Sequence, residues 1–140
     1  MTDQPDRNPL LAQHPDDQAW LEYVGFTAHA LAEVLVQDGR PMPAAPVAQQ
    51  AVQAFRSLTQ SDPGNRAIAF GLLRSEVVQL LGRQPPALTV TQALLARLQA
   101  LEAGRPPSPR WHPLRARLAG LHAMALLKAG DKVAAERSVE

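Results

Sequence analysis

The sequence predicts an all-α protein, with about six helices in antiparallel pairs gathered into a compact helical bundle. Three observations carry this expectation. Hydrophobic residues make up 46% of the chain and aromatic residues only 4%, so the core must be built from Leu, Ala and Val, and Leu and Ala are strong helix formers. Apolar residues recur at spacings of three and four and never alternate for long, so no segment reads as a strand. Pro, Gly, Asn and Asp cluster between these periodic runs, where they stop one helix and cap the next. A chain of 140 residues can enclose one core of ordinary size. Residues 16–140 are therefore read as a single helical domain behind a flexible N-terminal tail, residues 1–15.

The tail carries three prolines and one apolar pair, Leu10 and Leu11, which suits a poorly ordered segment or a short docking peptide. Asp16 or Asp17 then caps a helix that runs to residue 37, with Trp20, Val24, Ala28, Leu31 and Leu35 as its buried face. Gly39 and Pro41 end it. A proline-rich link, residues 41–46, leads to a helix over 47–59 whose Val47, Ala51, Ala54, Phe55 and Leu58 face inward. Ser61 to Asn65 read as a turn, because Pro63 fixes one backbone torsion and Gly64 or Asn65 accepts a positive one. The helix over 65–81 places Ile68, Leu72, Leu73, Val77 and Leu80 on one face and Phe70, Val78 and Leu81 outside it. So wide an apolar surface suits a central helix surrounded by neighbours. Gly82 and the pair Pro85-Pro86 stop it, and Thr89 or Thr91 caps a helix over 90–103 with Leu94, Leu95, Leu98 and Leu101 as its seam. Residues 104–110 form a semi-rigid proline-rich connector.

In the last stretch, Leu114, Leu118, Leu121, Ala125 and Leu126 share one face of a helix that Pro113 opens and Gly130 closes. Asp131 can cap a short final helix, residues 132–139, whose Val133, Ala134 and Ala135 lie back on the first. The leucine and alanine ladder before Leu126-Leu127-Lys128-Ala129-Gly130-Asp131, followed by Ala134-Ala135, resembles a tetratricopeptide-like helical repeat. Pro113-Leu114-Arg115 and Arg117-Leu118 also resemble the helical activator domain of bacterial transcription regulators. The resemblance implies a helical hairpin that binds protein and does not specify the partner. It covers residues 112–140, about a fifth of the chain. Val133 stands where such repeats usually carry a large aromatic, and the earlier helices show no fixed period.

The net charge of +1 hides an asymmetry. Residues 1–38 hold seven acidic residues and one Arg, whereas residues 39–118 hold ten Arg and three acidic residues. The two parts can pair with each other inside the domain or present opposite signs to a partner. With no cysteine, disulfides and thiolate metal sites are excluded. No apolar run reaches the roughly 18 residues of a membrane span, and the N-terminus shows no basic region followed by an apolar one. A cytoplasmic location without membrane contact is the expectation. The use of twelve Arg against two Lys suits a GC-rich genome better than a special need for guanidinium.

No catalytic motif and no Gly-rich phosphate loop stands out, and neither a cofactor nor a metal is expected. His14, His29, His112 and His122 are scattered without zinc-ligand spacing. His29 and Glu33 stand one helical turn apart, which suits two metal ligands, a general base with its orienting carboxylate, or a plain polar pair. Ser57, Ser75 and Ser138 have no base nearby in sequence. Arg105, Arg110, Arg115 and Arg117 surround Trp111 and His112. Together they can clamp phosphates while the Trp ring stacks on a base, or Trp111 can pack as a hydrophobic staple beside solvated arginines. Three function classes follow. The favoured one is a non-enzymatic interaction module that binds a protein partner or a second copy of itself through Leu121, Leu126 and Val133. A homodimer fits it, because the short last helix is marginal unless it docks on something. The alternatives are a nucleic-acid-binding protein using the arginine cluster 105–117, and a small helical enzyme using His29 and Glu33.

Overall fold

The computed structural model describes residues 17–82, 86–106, 108–130 and 137, and over 17–130 five α-helices follow one another among these described residues. They are α1 (Gln18–Gln37), α2 (Pro41–Ser61), α3 (Arg66–Leu81), α4 (Leu88–Glu102) and α5 (His112–Lys128), the last entered through a 3-10 turn, Pro109–Trp111. No strand occurs among the described residues, and none of their helices is long and apolar enough to cross a membrane. The expected tail over 1–15 lies outside the described residues, as does the expected final helix over 132–139, with Val133, apart from Arg137, which is helical.

Local chemistry sets the helix ends. Asp17 caps α1 by accepting the Trp20 amide hydrogen at 3.0 Å, and Asn65 caps α3 by accepting that of Ile68 at 3.2 Å. Gly39 and Gly130, at φ of +76° and +89°, take the left-handed conformation that turns the chain after α1 and α5.

Two expected boundaries are corrected. Residues 41–46 are not a link but the opening turns of α2. Pro41 and Pro43 stand where a helix has no use for an amide hydrogen, and only Pro46 forfeits a bond, to the carbonyl of the exposed Met42. Helix α4 starts at Leu88 behind Ala87, and neither Thr89 nor Thr91 caps it. The Thr91 hydroxyl is buried instead, donating to the Leu88 carbonyl at 3.1 Å and lying 2.9 Å from His122 Nδ1.

Successive helices run antiparallel. Gln18 at the start of α1 bonds Ser61 at the end of α2, and Pro41 at the start of α2 abuts Gly82 just past α3. Arg66 at the start of α3 donates to the Leu101 carbonyl near the end of α4, and Thr91 early in α4 meets His122 in the later half of α5. Helix α3 is central, packing on α1, α2, α4 and α5. It buries Ile68, Phe70, Leu72, Leu73, Val77 and Val78 around nearly its whole circumference. Leu121 and Leu126, expected at an interaction surface, are buried, because α5 turns the face that carries them inward with Leu114 and Leu118.

The buried face of α1 is also rotated from the expected one. Leu21, Gly25, Ala28, His29 and Ala32 point inward, whereas Leu31 is 51% exposed and Trp20, Val24 and Leu35 are only half-buried. The reason is Phe55 of α2. Its fully buried ring fills the gap between Gly25 of α1 and Gly71 of α3, so close that a Cβ on either glycine would lie 2.9 or 2.8 Å from it. The ring of Phe26 meets it edge-on with centroids 4.9 Å apart. Only glycine permits this approach, so α1 presents Gly25 rather than its bulkier residues.

Gly71→Ala separates two opposed effects. Helix propensity favours alanine by about 1 kcal/mol, whereas forcing a methyl against an immobile ring costs about 1–3 kcal/mol. The buried ring at 2.8 Å has no room to swing away, so the clash wins. Thermal unfolding followed by circular dichroism should show a lower midpoint for Gly71→Ala, and a raised midpoint would refute the clamp.

Candidate functional site

Two regions stand out once the helices are placed: the outer face of α1 and a polar cluster where α1, α3 and the start of α5 meet. On α1, Tyr23, Phe26, Leu31 and Val34 are 60%, 43%, 51% and 59% exposed. Ala30 and Thr27 lie between them, and Glu22 is the one charged residue exposed along this helix. The face therefore runs from Tyr23 to Val34, about 16 Å at 1.5 Å per residue. Beside it, Trp20, Val24, Leu31 and Val47 line a shallow groove of about 340 Å³ between α1 and α2. In the sequence this face is a second stripe, Tyr23, Thr27, Leu31 and Val34 with Phe26 and Ala30 beside them, at spacings of three and four, masked by the expectation that Leu31 points inward.

The polar cluster centres on His29, which is 3% exposed. Arg74 of α3 donates its Nε hydrogen to His29 Nε2 at 3.3 Å, so the neutral ring carries its proton on Nδ1 and donates it to Ser75 Oγ at 3.2 Å. Glu33 Oε2 stands 3.4 Å from the same Nε2, and both Glu33 oxygens accept from Arg117 Nη1, at 3.1 and 2.9 Å. The His29 pKa is lowered from 6.5 to about 4: burial is the main cause, the Arg74 charge adds to it, Glu33 opposes it and Arg117 lowers it again. Burial likewise pushes the Arg74 guanidinium below its ordinary value; Glu33 opposes that shift, and the neighbouring charges of Arg110 and Arg117 reinforce it.

The expected His29–Glu33 pair thus exists, and the structure adds Ser75 to it. The serine hydroxyl is completely buried, so no substrate carbonyl can reach it. Among the described residues no three His, Asp or Glu side chains converge as a metal site would require.

The expected arginine cluster is divided. Arg115 turns to Glu102, and Arg105 is exposed at the turn after α4, its amide hydrogen bonded to the Glu102 carbonyl at 3.2 Å. Arg117, two residues from Arg115, points to a different side of α5 because positions i and i+2 do not share a helix face. Trp111 stacks flat on Phe70, with ring centroids 3.3 Å apart and planes 3° apart, and the Arg110 guanidinium lies over the indole at 5.2 Å. Phe70 therefore takes a ring face that a base would need. Arg110 and Arg117 do share a cleft of about 320 Å³, joined there by Arg74, Glu33 and Gln37. Arg74 was missed in the sequence; its signal was a cation between Leu73 and Ser75 in the interior of a helix apolar nearly all round.

Comparison with protein-family models, with curated proteins and with solved structures finds no match to this chain.

The state of His29 makes stability depend on pH. The folded protein refuses a proton that the unfolded chain accepts, so this contribution is whole above about pH 6.5 and is lost as pH falls through that value toward about 4. The loss should amount to about 3 kcal/mol. Urea unfolding of wild type and His29→Gln at several pH values in this window should show a shallower pH dependence in the variant. Parallel curves would mean that His29 titrates normally in the fold.

Proposed function

We propose that this chain is a helical interaction module that pairs with a second copy of itself through the outer face of α1. The observation that carries the reading is the run of exposed Tyr23, Phe26, Leu31 and Val34 on a helix whose other side is already buried in the core. A helix apolar on both sides is surrounded on both sides, and contiguous exposed apolar surface marks a contact site. The ridge and the α1–α2 groove lie on the same face, as a two-fold contact requires: Leu31 and Tyr23 of each copy can enter the groove of the other. Ala30 lets the two α1 helices approach closely. The resemblance of residues 112–140 to a tetratricopeptide-like repeat supports the same class, recognition of protein by helical faces.

Sedimentation equilibrium tests this reading. Wild type should self-associate at about 100 µM or below, and Tyr23→Asp with Val34→Asp should weaken association at least about tenfold. Both side chains are mostly exposed, so helicity and melting should change little. A wild-type monomer at about 1 mM would overturn the proposal.

A further inference from the structure

The cleft bounded by α1, α3, the 3-10 turn and the first turns of α5 is a different surface from the outer face of α1, with different chemistry. Three guanidinium groups, those of Arg74, Arg110 and Arg117, face it together with one carboxylate, Glu33. Both oxygens of that carboxylate are engaged by Arg117. Among the described residues, Arg110 forms no ion pair, and Arg74 has only its Nε bond to His29, so its two terminal nitrogens are left without an acceptor. Each of these two arginines is nevertheless held in place. His29, itself fixed by Ser75, anchors Arg74, and the indole of Trp111, stacked on Phe70, lies under Arg110.

Pro113 and Leu114 of the first turn of α5 line the same cleft. Arg74, held through its Nε, and Arg110, laid over an indole, present terminal nitrogens with no ion-pair partner among the described residues and together form a receptor for an anion.

We propose that this cleft binds the phosphate group of a small phosphate monoester. With His29 neutral, three arginines and one glutamate leave two positive charges uncompensated, and a monoester carries close to two negative charges near neutral pH. A carboxylate or a phosphodiester carries only one. The volume of about 320 Å³ is at the small end of ligand pockets, enough for the phosphate and a short organic part. Gln37, neutral and at the edge of the same cleft, is placed to bond a hydroxyl on that part.

The test is a titration of the full chain near pH 7.5 with inorganic phosphate, with glucose 6-phosphate and with dimethyl phosphate, followed through the arginine Nε–H resonances. Saturable shifts at Arg74 and Arg110 are expected with the two dianions at millimolar concentration, and dimethyl phosphate should bind at least about tenfold more weakly. Arg110→Gln, at an exposed position that leaves the fold intact, should weaken phosphate binding about tenfold. Tighter binding of glucose 6-phosphate than of inorganic phosphate would locate the organic part in the cleft, whereas the reverse order would overturn the monoester. No saturable shift up to about 50 mM phosphate would overturn the site. Equal binding of dimethyl phosphate would overturn the monoester and assign the cleft to a phosphodiester, and unchanged binding by Arg110→Gln would overturn the paired-arginine site.

Discussion

The ring of Phe55, held between Gly25 and Gly71, is the contact on which the rest of the structure depends. Helix α2 presents one large side chain to both neighbours, and each neighbour answers with a residue that has no side chain. The consequence reaches beyond packing. Gly25 and Gly71 bring α1 and α3 into register on either side of the ring, and one helical turn further along each lie His29 and Ser75, which meet at 3.2 Å. Another step along, Ala32 of α1 packs with Val78 of α3 and with Ala44 and Ala48 of α2. The polar network and the apolar layers beside it thus share one origin.

Electrostatics inside the bundle follow from that register. Once His29 is buried against Ser75, its protonated form loses hydration and faces Arg74, so the ring stays neutral and becomes the acceptor that orients the guanidinium. Glu33, one turn along α1, is then the carboxylate available to Arg117 when α5 packs nearby. The acidic early part of the chain and its basic middle do meet here, at the Glu33–Arg117 pair. One carboxylate cannot balance three guanidinium groups, and the surplus charge collects where Arg110 and Arg74 border open space.

The α1 surface has a related cause. With glycine and small residues turned inward to accommodate Phe55, the larger side chains of α1, Tyr23, Phe26, Leu31 and Val34, are left on the outside. A helix chosen for close approach on one face thereby acquires an apolar ridge on the other. In α5 the outcome is the reverse: Leu114, Leu118, Leu121 and Leu126 all turn inward, and Arg115 and Arg117 diverge to separate glutamates.

Local physics made several features legible from the sequence alone. The helical class, the cap at Asp17, the stop at Gly39 and the central position of α3 follow from periodicity, capping and turn chemistry, which act over a few residues. Asn65, expected in a turn with a positive torsion at Gly64 or itself, instead caps α3 at a φ of −82°, and neither residue takes a positive φ. The prolines of 41–46 misled because proline is tolerated in an opening helical turn as readily as in a link. Only the tertiary structure decided which face of α1 is buried, since both faces are apolar and the choice depends on a ring 30 residues away. It alone joined Arg74 to Arg110 and Arg117 and parted Arg115 from them, because charges gather by the crossing of helices and not by their order in the chain.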